Sequence, residues 1–253
     1  MNYTLITGAS AGIGEVFAKE LARAGKNLIL VARRKDKLEA LAQELKAQFG
    51  VEVESLAVDL TSTESSSIIV KQLESSNWTI DGLINNAGFG DRGAFVDLPL
   101  DRQLQMIQLN VTTLVELTHR LLPKMLNQQS PYIINVASTA AFQAGPNMAI
   151  YYATKAFVLS FSEALHEELS GKGIAVSALC PGATLSEFAT EANMTDTKLF
   201  KAGAMTAEAV VKKSLRQKDR AIVITGWKNI LSVWSGKVSP RFITRKIAGW
   251  LQA

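Results

Sequence analysis

With 253 residues, 47% of them apolar and 20% charged, the chain has the size and composition of one soluble α/β domain with a full core. Its single cysteine, Cys180, excludes an internal disulfide or a cysteine-rich zinc site, and two histidines, His119 and His166, both within helical patterns, argue against a histidine triad or metal cluster. The net charge of +4 is mildly basic without the pattern of a nucleic-acid surface, and the opening residues lack a signal-peptide pattern, so no nucleic-acid partner and a cytoplasmic location are expected.

Tyr3 to Thr7 reads as a short buried strand, followed at once by Gly8-Ala9-Ser10-Ala11-Gly12-Ile13-Gly14 and a helix patterned on Ile13, Val16, Phe17 and Leu21. Strand, glycine loop and helix together form the context of a dinucleotide site, in which glycines admit the pyrophosphate and the helix N-terminus meets its charge. Asn27 to Ala32 is the second strand. Where NAD-binding chains place an acid to grip the ribose, this one has Arg33 and Arg34, which suit a 2′-phosphate, so NADP(H) is favoured over NAD(H). Arg33 and Arg34 read alternatively as the start of the charged helix from Lys35 to Phe49.

Val51 to Val58 is a third strand, ending in Asp59-Leu60, where a carboxylate can meet an adenine amino group. A serine-rich helix from Glu64 to Asn77 follows. Gly82 to Ile84 is the fourth strand, closed by Asn85-Asn86-Ala87-Gly88, whose small residues allow close packing beside a cofactor and whose asparagines can fasten neighbouring strands. Leu100 to Leu126 is a long helical stretch with Asn110 in its middle, a poor helix former that marks a break where a freed carbonyl binds water, or else a solvent-facing side chain. Tyr132 to Val136, Ile174 to Leu179 and Ala221 to Thr225 are the remaining strands. Helices are expected over Ala153 to Ser170 and Thr206 to Gln217. This alternation predicts a single Rossmann-type, doubly wound parallel sheet of about seven strands with helices on both faces.

The chemistry gathers between Ser138 and Lys155. Tyr151 and Lys155 are four apart and share a helix face. An ammonium about 5 Å from a phenol, at an effective dielectric of about 20, favours the phenolate by roughly 3 kcal/mol, or ~2 pKa units. Tyr151 is therefore a candidate general acid and base near neutrality. Ser138 follows the fifth strand and sits at its C-terminal end, where open α/β sheets bind ligands, so its hydroxyl can hold a carbonyl while Tyr151 protonates it. Tyr152, three from Lys155, is the competitor.

Taken jointly, Thr7-Gly8-x-x-x-Gly12-Ile13-Gly14, Asp59, Asn85-Asn86-Ala87-Gly88, Asn110, Ser138, Tyr151-x-x-x-Lys155 and Pro181-Gly182 resemble, in order and spacing over about Asn2 to Phe188, the short-chain dehydrogenase/reductase family. The resemblance implies that Tyr151 donates the proton, that Ser138 hydrogen-bonds the substrate oxygen, and that Lys155 tunes Tyr151 and binds the nicotinamide ribose. Asn110 would hold a water linking Lys155 to solvent. It also implies that Thr184 or Ser186 contacts the nicotinamide carboxamide, that Leu185 to Met205 forms a substrate lid, and that the chain forms a homodimer or homotetramer. Relatives using NADP often carry a basic residue where this chain has Ala11, which leaves the 2′-phosphate to Arg33 and Arg34.

The activity implied is NADP(H)-dependent reduction of a ketone or aldehyde, or the reverse, with a silent cofactor-binding sensor or scaffold as the alternative. Phe188, Met194, Leu199, Phe200 and Met205 give the lid an apolar side and suggest a lipophilic carbonyl substrate. Residues 1–226 are read as the catalytic domain and 227–253 as its basic amphipathic extension. That tail suits a membrane surface or the substrate pocket, as in a peripheral reductase of lipid-derived carbonyls, but packing on the domain or a partner subunit is favoured.

Overall fold

In the computed structural model, the five central strands are buried along almost their whole length: β1 (Asn2–Thr7), β2 (Asn27–Ala32), β4 (Thr79–Asn85), β5 (Tyr132–Val136) and β6 (Ala175–Cys180). Burial on both sides is the mark of a parallel sheet covered by two helical layers. The edge strands β3 (Val53–Ala57) and β7 (Ile222–Ile224) complete a seven-stranded, all-parallel sheet in the order β3-β2-β1-β4-β5-β6-β7. The structure describes residues 1–194, 196–201 and 203–252.

Successive strand residues feed opposite cores. Ile6, Leu30 and Ile134 pack with Phe17 and Leu21 of α1 (Gly12–Arg23), Leu38 and Leu41 of α2 (Lys35–Phe49), and Val210 and Val211. Their neighbours Leu5, Ile29 and Ile133 pack with Ile69 and Leu73 of α3 (Ser65–Ser75) and with Leu117, Leu121 and Leu169 on the other face. The period of two thus assigns each residue to a layer.

The long helical stretch is three pieces: α4 (Leu100–Ile107), a π-helical segment (Gln108–Thr113) and α5 (Leu114–Met125). Asn110 sits in the π segment, at the break its helix propensity suggests, but is buried rather than solvent-facing. Helix α6 spans Ala149–Ser170, beginning four residues before the expected Ala153. Asn147, in the left-handed region at φ 62°, turns the chain in just ahead of it, so Tyr151 lies in the first turn. Beyond β6 come α7 (Glu187–Glu191), α8 (Lys198–Lys201), α9 (Ala207–Arg216), α10 (Trp227–Val238) and α11 (Arg241–Gln252). Among the described residues no helix is long and apolar enough to cross a membrane.

The strand order reverses between β1 and β4, and the crevice at their C-terminal ends is where such sheets bind ligands. A buried polar chain stiffens the sheet beside it. Asn85 Nδ2 donates to Asn135 Oδ1 (2.8 Å) and Thr118 Oγ1 (3.0 Å), and Asn135 Nδ2 donates to Ser162 Oγ (2.9 Å). Asn135→Ala removes two buried hydrogen bonds, those to Asn85 and Ser162, and is expected to cost about 1–3 kcal/mol. Urea unfolding at neutral pH measures the loss, and an unchanged midpoint would show the chain to be energetically idle.

Candidate active site

The glycine loop is shaped by close approach. Gly8 and Gly12 hold φ +67° and +58°, in the left-handed region that favours glycine, and a Cβ on Gly14 would lie 2.3 Å from the Gly8 carbonyl oxygen. Asn86 Nδ2 donates to the carbonyls of Thr7 (2.9 Å) and Gly8 (3.2 Å), while Thr7 Oγ1 accepts from the Asn86 and Ala87 amides, both at 3.0 Å. The ends of β1 and β4 are thereby stapled together. Helix α1 has Ala11 as its N-cap, which offers no side-chain hydrogen bond to the first-turn N–H groups. An uncapped helix N-terminus behind a glycine turn suits a pyrophosphate.

Across the crevice, α6 brings Tyr151 and Lys155 to Ser138, at the end of β5. Lys155 is 5% exposed and donates from Nζ to the Val136 carbonyl at 2.7 Å. Gly88 makes room beside it, since a Cβ there would lie 2.9 Å from Asn110 Oδ1 and 3.5 Å from Lys155 Nζ. Burial, rather than the Lys155 charge expected to lower it, sets the state of Tyr151. Burial pushes the phenol above its ordinary range, with the Ser138 hydroxyl drawing it back only in part, and the same loss of water pulls the Lys155 ammonium down to about 8. In this fold Tyr151 is a protonated phenol, the form an acid needs.

Asn110 does not reach the crevice wall. Its Nδ2 donates to Phe89 O (3.0 Å) and Thr154 Oγ1 (3.1 Å), and its Oδ1 accepts from Phe89 N (3.2 Å), so its side chain is spent on protein partners. Gly14 likewise lies behind the loop. Every other predicted site residue lines one cleft of about 370 Å³: Gly8, Ser10, Ala11, Gly12, Ile13, Arg33, Arg34, Asp59, Leu60, Asn86, Ala87, Gly88, Ser138, Tyr151, Lys155, Pro181, Gly182, Thr184 and Ser186.

The family description "short chain dehydrogenase" matches residues 2–197. The chain belongs to the short-chain dehydrogenase family. It is 36% identical over 183 residues to the very-long-chain 3-oxoacyl-CoA reductase of Bos taurus, an alignment covering 71% of this chain and 58% of that protein. The chain thus spans less than two thirds of that relative's length. Two solved structures are similar over nearly all of it. One is of a 7beta-hydroxysteroid dehydrogenase (TM-score 0.89, 26% identity, 98% of this chain and 96% of that one). The other is a short-chain dehydrogenase from Sphingobium yanoikuyae in complex with NADPH (TM-score 0.82, 34% identity, 94% and 93%).

At the far end of the dehydrogenase cleft, Arg34 donates to Ser10 Oγ (3.0 Å) and pairs with Glu187 Oε2 (2.7 Å), whose other oxygen meets Lys37 Nζ at 3.0 Å. Hydrogen bonds from these two cations hold the Glu187 carboxyl below its usual range. Arg33 is exposed beside them. Lys37, three positions after Arg34, is a further cation here that no sequence motif singles out. Asp59 turns its Oδ1 onto Thr61 N and Oγ1 (3.0 and 2.8 Å).

The segment after Pro181-Gly182 folds back over the crevice. Thr184 bridges to Met205 and donates to the Gly182 carbonyl (3.0 Å), while Ser186 lies against Gly12, where a Cβ would be 3.1 Å from its own. Phe188 packs on Tyr151 with ring centres 5.5 Å apart, and Met194 and Phe200 join the same apolar cluster. Leu199, also expected in the lid, has a side chain outside the described residues.

Three further contacts involve the chain's last helices, and of these only the tail's approach to the substrate pocket is among the sequence expectations. Tyr152 accepts from Gln252 Nε2 at 2.6 Å and is thereby engaged with the chain's far end. Val233, Ala248 and Leu251 line the cleft from α10 and α11. Arg92 donates to the carbonyls of Asn193 and Gln252, both at 2.7 Å, and pairs with Asp196, clasping lid and tail together.

Burying Lys155 carries a cost with a definite pH signature. Because its folded pKa lies near 8 and its free value near 10.5, the folded protein binds fewer protons than the unfolded chain between these limits. This contribution to stability therefore rises as pH climbs from 8 toward 10, and the penalty, roughly 3 kcal/mol, is fully present below 8. Urea midpoints measured across this range should show that rise relative to Lys155→Met. Parallel curves would contradict it.

Proposed function

We propose that this dehydrogenase uses NADP(H) to interconvert a lipophilic ketone and its secondary alcohol, with Tyr151 as general acid and base. The observation that carries the reading is the convergence of Tyr151, Ser138 and Lys155 with the glycine loop in one cleft. The glycine loop and the α1 N-terminus would hold the pyrophosphate, Asp59 and Leu60 the adenine, and Asn86, Ala87 and Gly88 would flank the bound cofactor. When bound, the nicotinamide supplies or accepts the hydride.

The remaining work falls to side chains. Ser138 Oγ donates a hydrogen bond to the carbonyl oxygen, fixing it beside the Tyr151 hydroxyl. As the carbonyl carbon gains its hydride, Tyr151 passes its proton to that oxygen, and an alcohol forms. The phenolate left behind is stabilised by the Lys155 ammonium and is then reprotonated. A carbonyl released by the π segment, rather than the Asn110 side chain, would hold the water that returns the proton. Thr184, tied to Gly182, is assigned to the nicotinamide carboxamide, and Ser186, against Gly12, to the phosphates.

Cofactor choice rests on the cations. Arg33, Arg34 and Lys37 surround the end of β2 without an acid at the ribose position, and the Glu187 carboxylate between Arg34 and Lys37 marks where a 2′-phosphate would be met. The NADPH complex of the Sphingobium relative supports the same choice. A lipophilic substrate is supported by Phe89, Phe188, Met194 and Val233 along the cleft and by the 3-oxoacyl-CoA and hydroxysteroid names of two relatives. Leu100, Leu104 and Phe157, exposed on α4 and α6, suit a homo-oligomeric contact.

Cofactor oxidation with a panel of hydrophobic ketones tests the reading. NADPH should outperform NADH by at least about tenfold in kcat/KM. Arg34→Ala should erase most of that ratio by raising KM for NADPH, and Glu187→Ala, removing the competing carboxylate, should lower it. Equal use of the two cofactors, or a ratio unmoved by Arg34→Ala, would overturn the assignment.

A further inference from the structure

The face that α10 and α11 turn away from the domain is large, apolar and basic. On α10, Trp227, Leu231, Trp234 and Val238 recur at spacings of four, three and four and form one stripe, each more than 60% exposed. Phe242, Ile247 and Trp250 of α11 are each more than half exposed. The opposite faces are occupied: Val233 and Ala248 are buried, and both line the cleft. Packing on the domain therefore accounts for one side of each helix and leaves the other without a partner.

Charge says what the open side suits. From residue 226 to the end the chain has five cations, Lys228, Lys237, Arg241, Arg245 and Lys246, and no acidic residue. All five are exposed, and none enters an ion pair among the described residues. They outnumber the whole chain's net charge of +4, so the rest of the molecule has no positive excess. Lys228 and Lys237 flank the tryptophan stripe, with Nζ 5.9 Å from the Trp227 ring centre and 5.5 Å from that of Trp234. Two copies meeting through this face would bring five cations against five. By contrast, α4 and α6 mix their exposed apolar residues with carboxylates such as Asp101, Glu163 and Glu167.

We propose that α10 and α11 form a docking surface for an anionic lipid bilayer, with tryptophans at the headgroup level and lysines and arginines against lipid phosphates. No spanning segment is required, since the helices lie in the interface plane. Because their inner faces form part of the cleft wall, the docked enzyme holds its substrate pocket next to the bilayer, where a lipophilic ketone would be dissolved. The docking itself does not depend on the reaction assigned above.

Sedimentation of the full chain with phosphatidylcholine vesicles, with and without phosphatidylglycerol, tests this directly, with tryptophan emission as a second readout. The protein should sediment with the anionic vesicles, shift its emission to the blue, and stay largely in the supernatant with phosphatidylcholine alone. Lys228→Glu/Lys237→Glu and, separately, Trp234→Ser should each weaken partitioning at least about tenfold, the first most strongly at low salt. Both variants should keep wild-type turnover of a water-soluble ketone, which shows that they are folded. Absence from both vesicle pellets would overturn the proposal, as would partitioning that neither variant changes. A dimer that Trp234→Ser dissociates, without vesicle binding by the wild type, would assign the face to a second copy. The reductase reading is scored by turnover alone and survives any of these failures.

Discussion

An amine held out of water is the constraint on which this site depends. Lys155 reaches the end of β5 between α6 and the π segment, spends one donor on the Val136 carbonyl, and is roofed by Gly88. Any side chain in place of Gly88 would meet Asn110 and the amine together, which is why a glycine stands there. The same dryness that depresses Lys155 keeps Tyr151 protonated. The two groups are thus poised in opposite directions from their values in water: the phenol retains its proton, and the amine is ready to respond to any negative charge that forms beside it. Before charge develops, desolvation sets the state of both groups.

The surrounding scaffold keeps that pair in register with the glycine loop. Strand β4 does so twice, through Asn85 to β5 and through Asn86 to the end of β1. Above the sheet, polar contacts join the cover to the domain. Arg92 joins the lid to the C-terminal helix, Gln252 tethers Tyr152, and Glu187 joins the lid to the cations at β2. Rigid packing sets the chemistry at the base of the cleft. Ionic links at Glu187 and Asp196, individually weak, and the buried Gln252 to Tyr152 hydrogen bond set how its cover sits.

Much of this was legible in the sequence, because the strands announce themselves as apolar runs and the glycine loop follows the first of them. Tyr151, Ser138 and Lys155 could be placed together from helix spacing and from the rule that ligands sit at strand ends. The energetic sign of the Tyr151 and Lys155 pairing could not. Spacing gives separation but not burial, and burial decided it. The start of α6 was misplaced because Asn147 and Gly145 serve a turn that only the packing of Tyr152 explains. Asn110 was read as a break, and it is one, yet its side chain fastens Phe89 and Thr154. Contacts such as Arg92 to Gln252 join residues 160 apart and left no local pattern. The tail showed its amphipathic character in sequence, but not which of its faces the domain would cover.

The central claim is that a buried phenol delivers the proton, and pH-resolved single-turnover reduction tests it most directly. With enzyme and NADPH in excess over ketone, the rate of cofactor oxidation should stay flat through neutrality and fall above a pH of about 8, as the Lys155 ammonium that stabilises the phenolate left by proton transfer loses its own proton. In Tyr151→Phe the rate should drop by a factor on the order of 10² or more, and the alkaline decline should vanish. If Tyr151→Phe keeps both the rate and the decline, another group is the acid, and the account of this site fails.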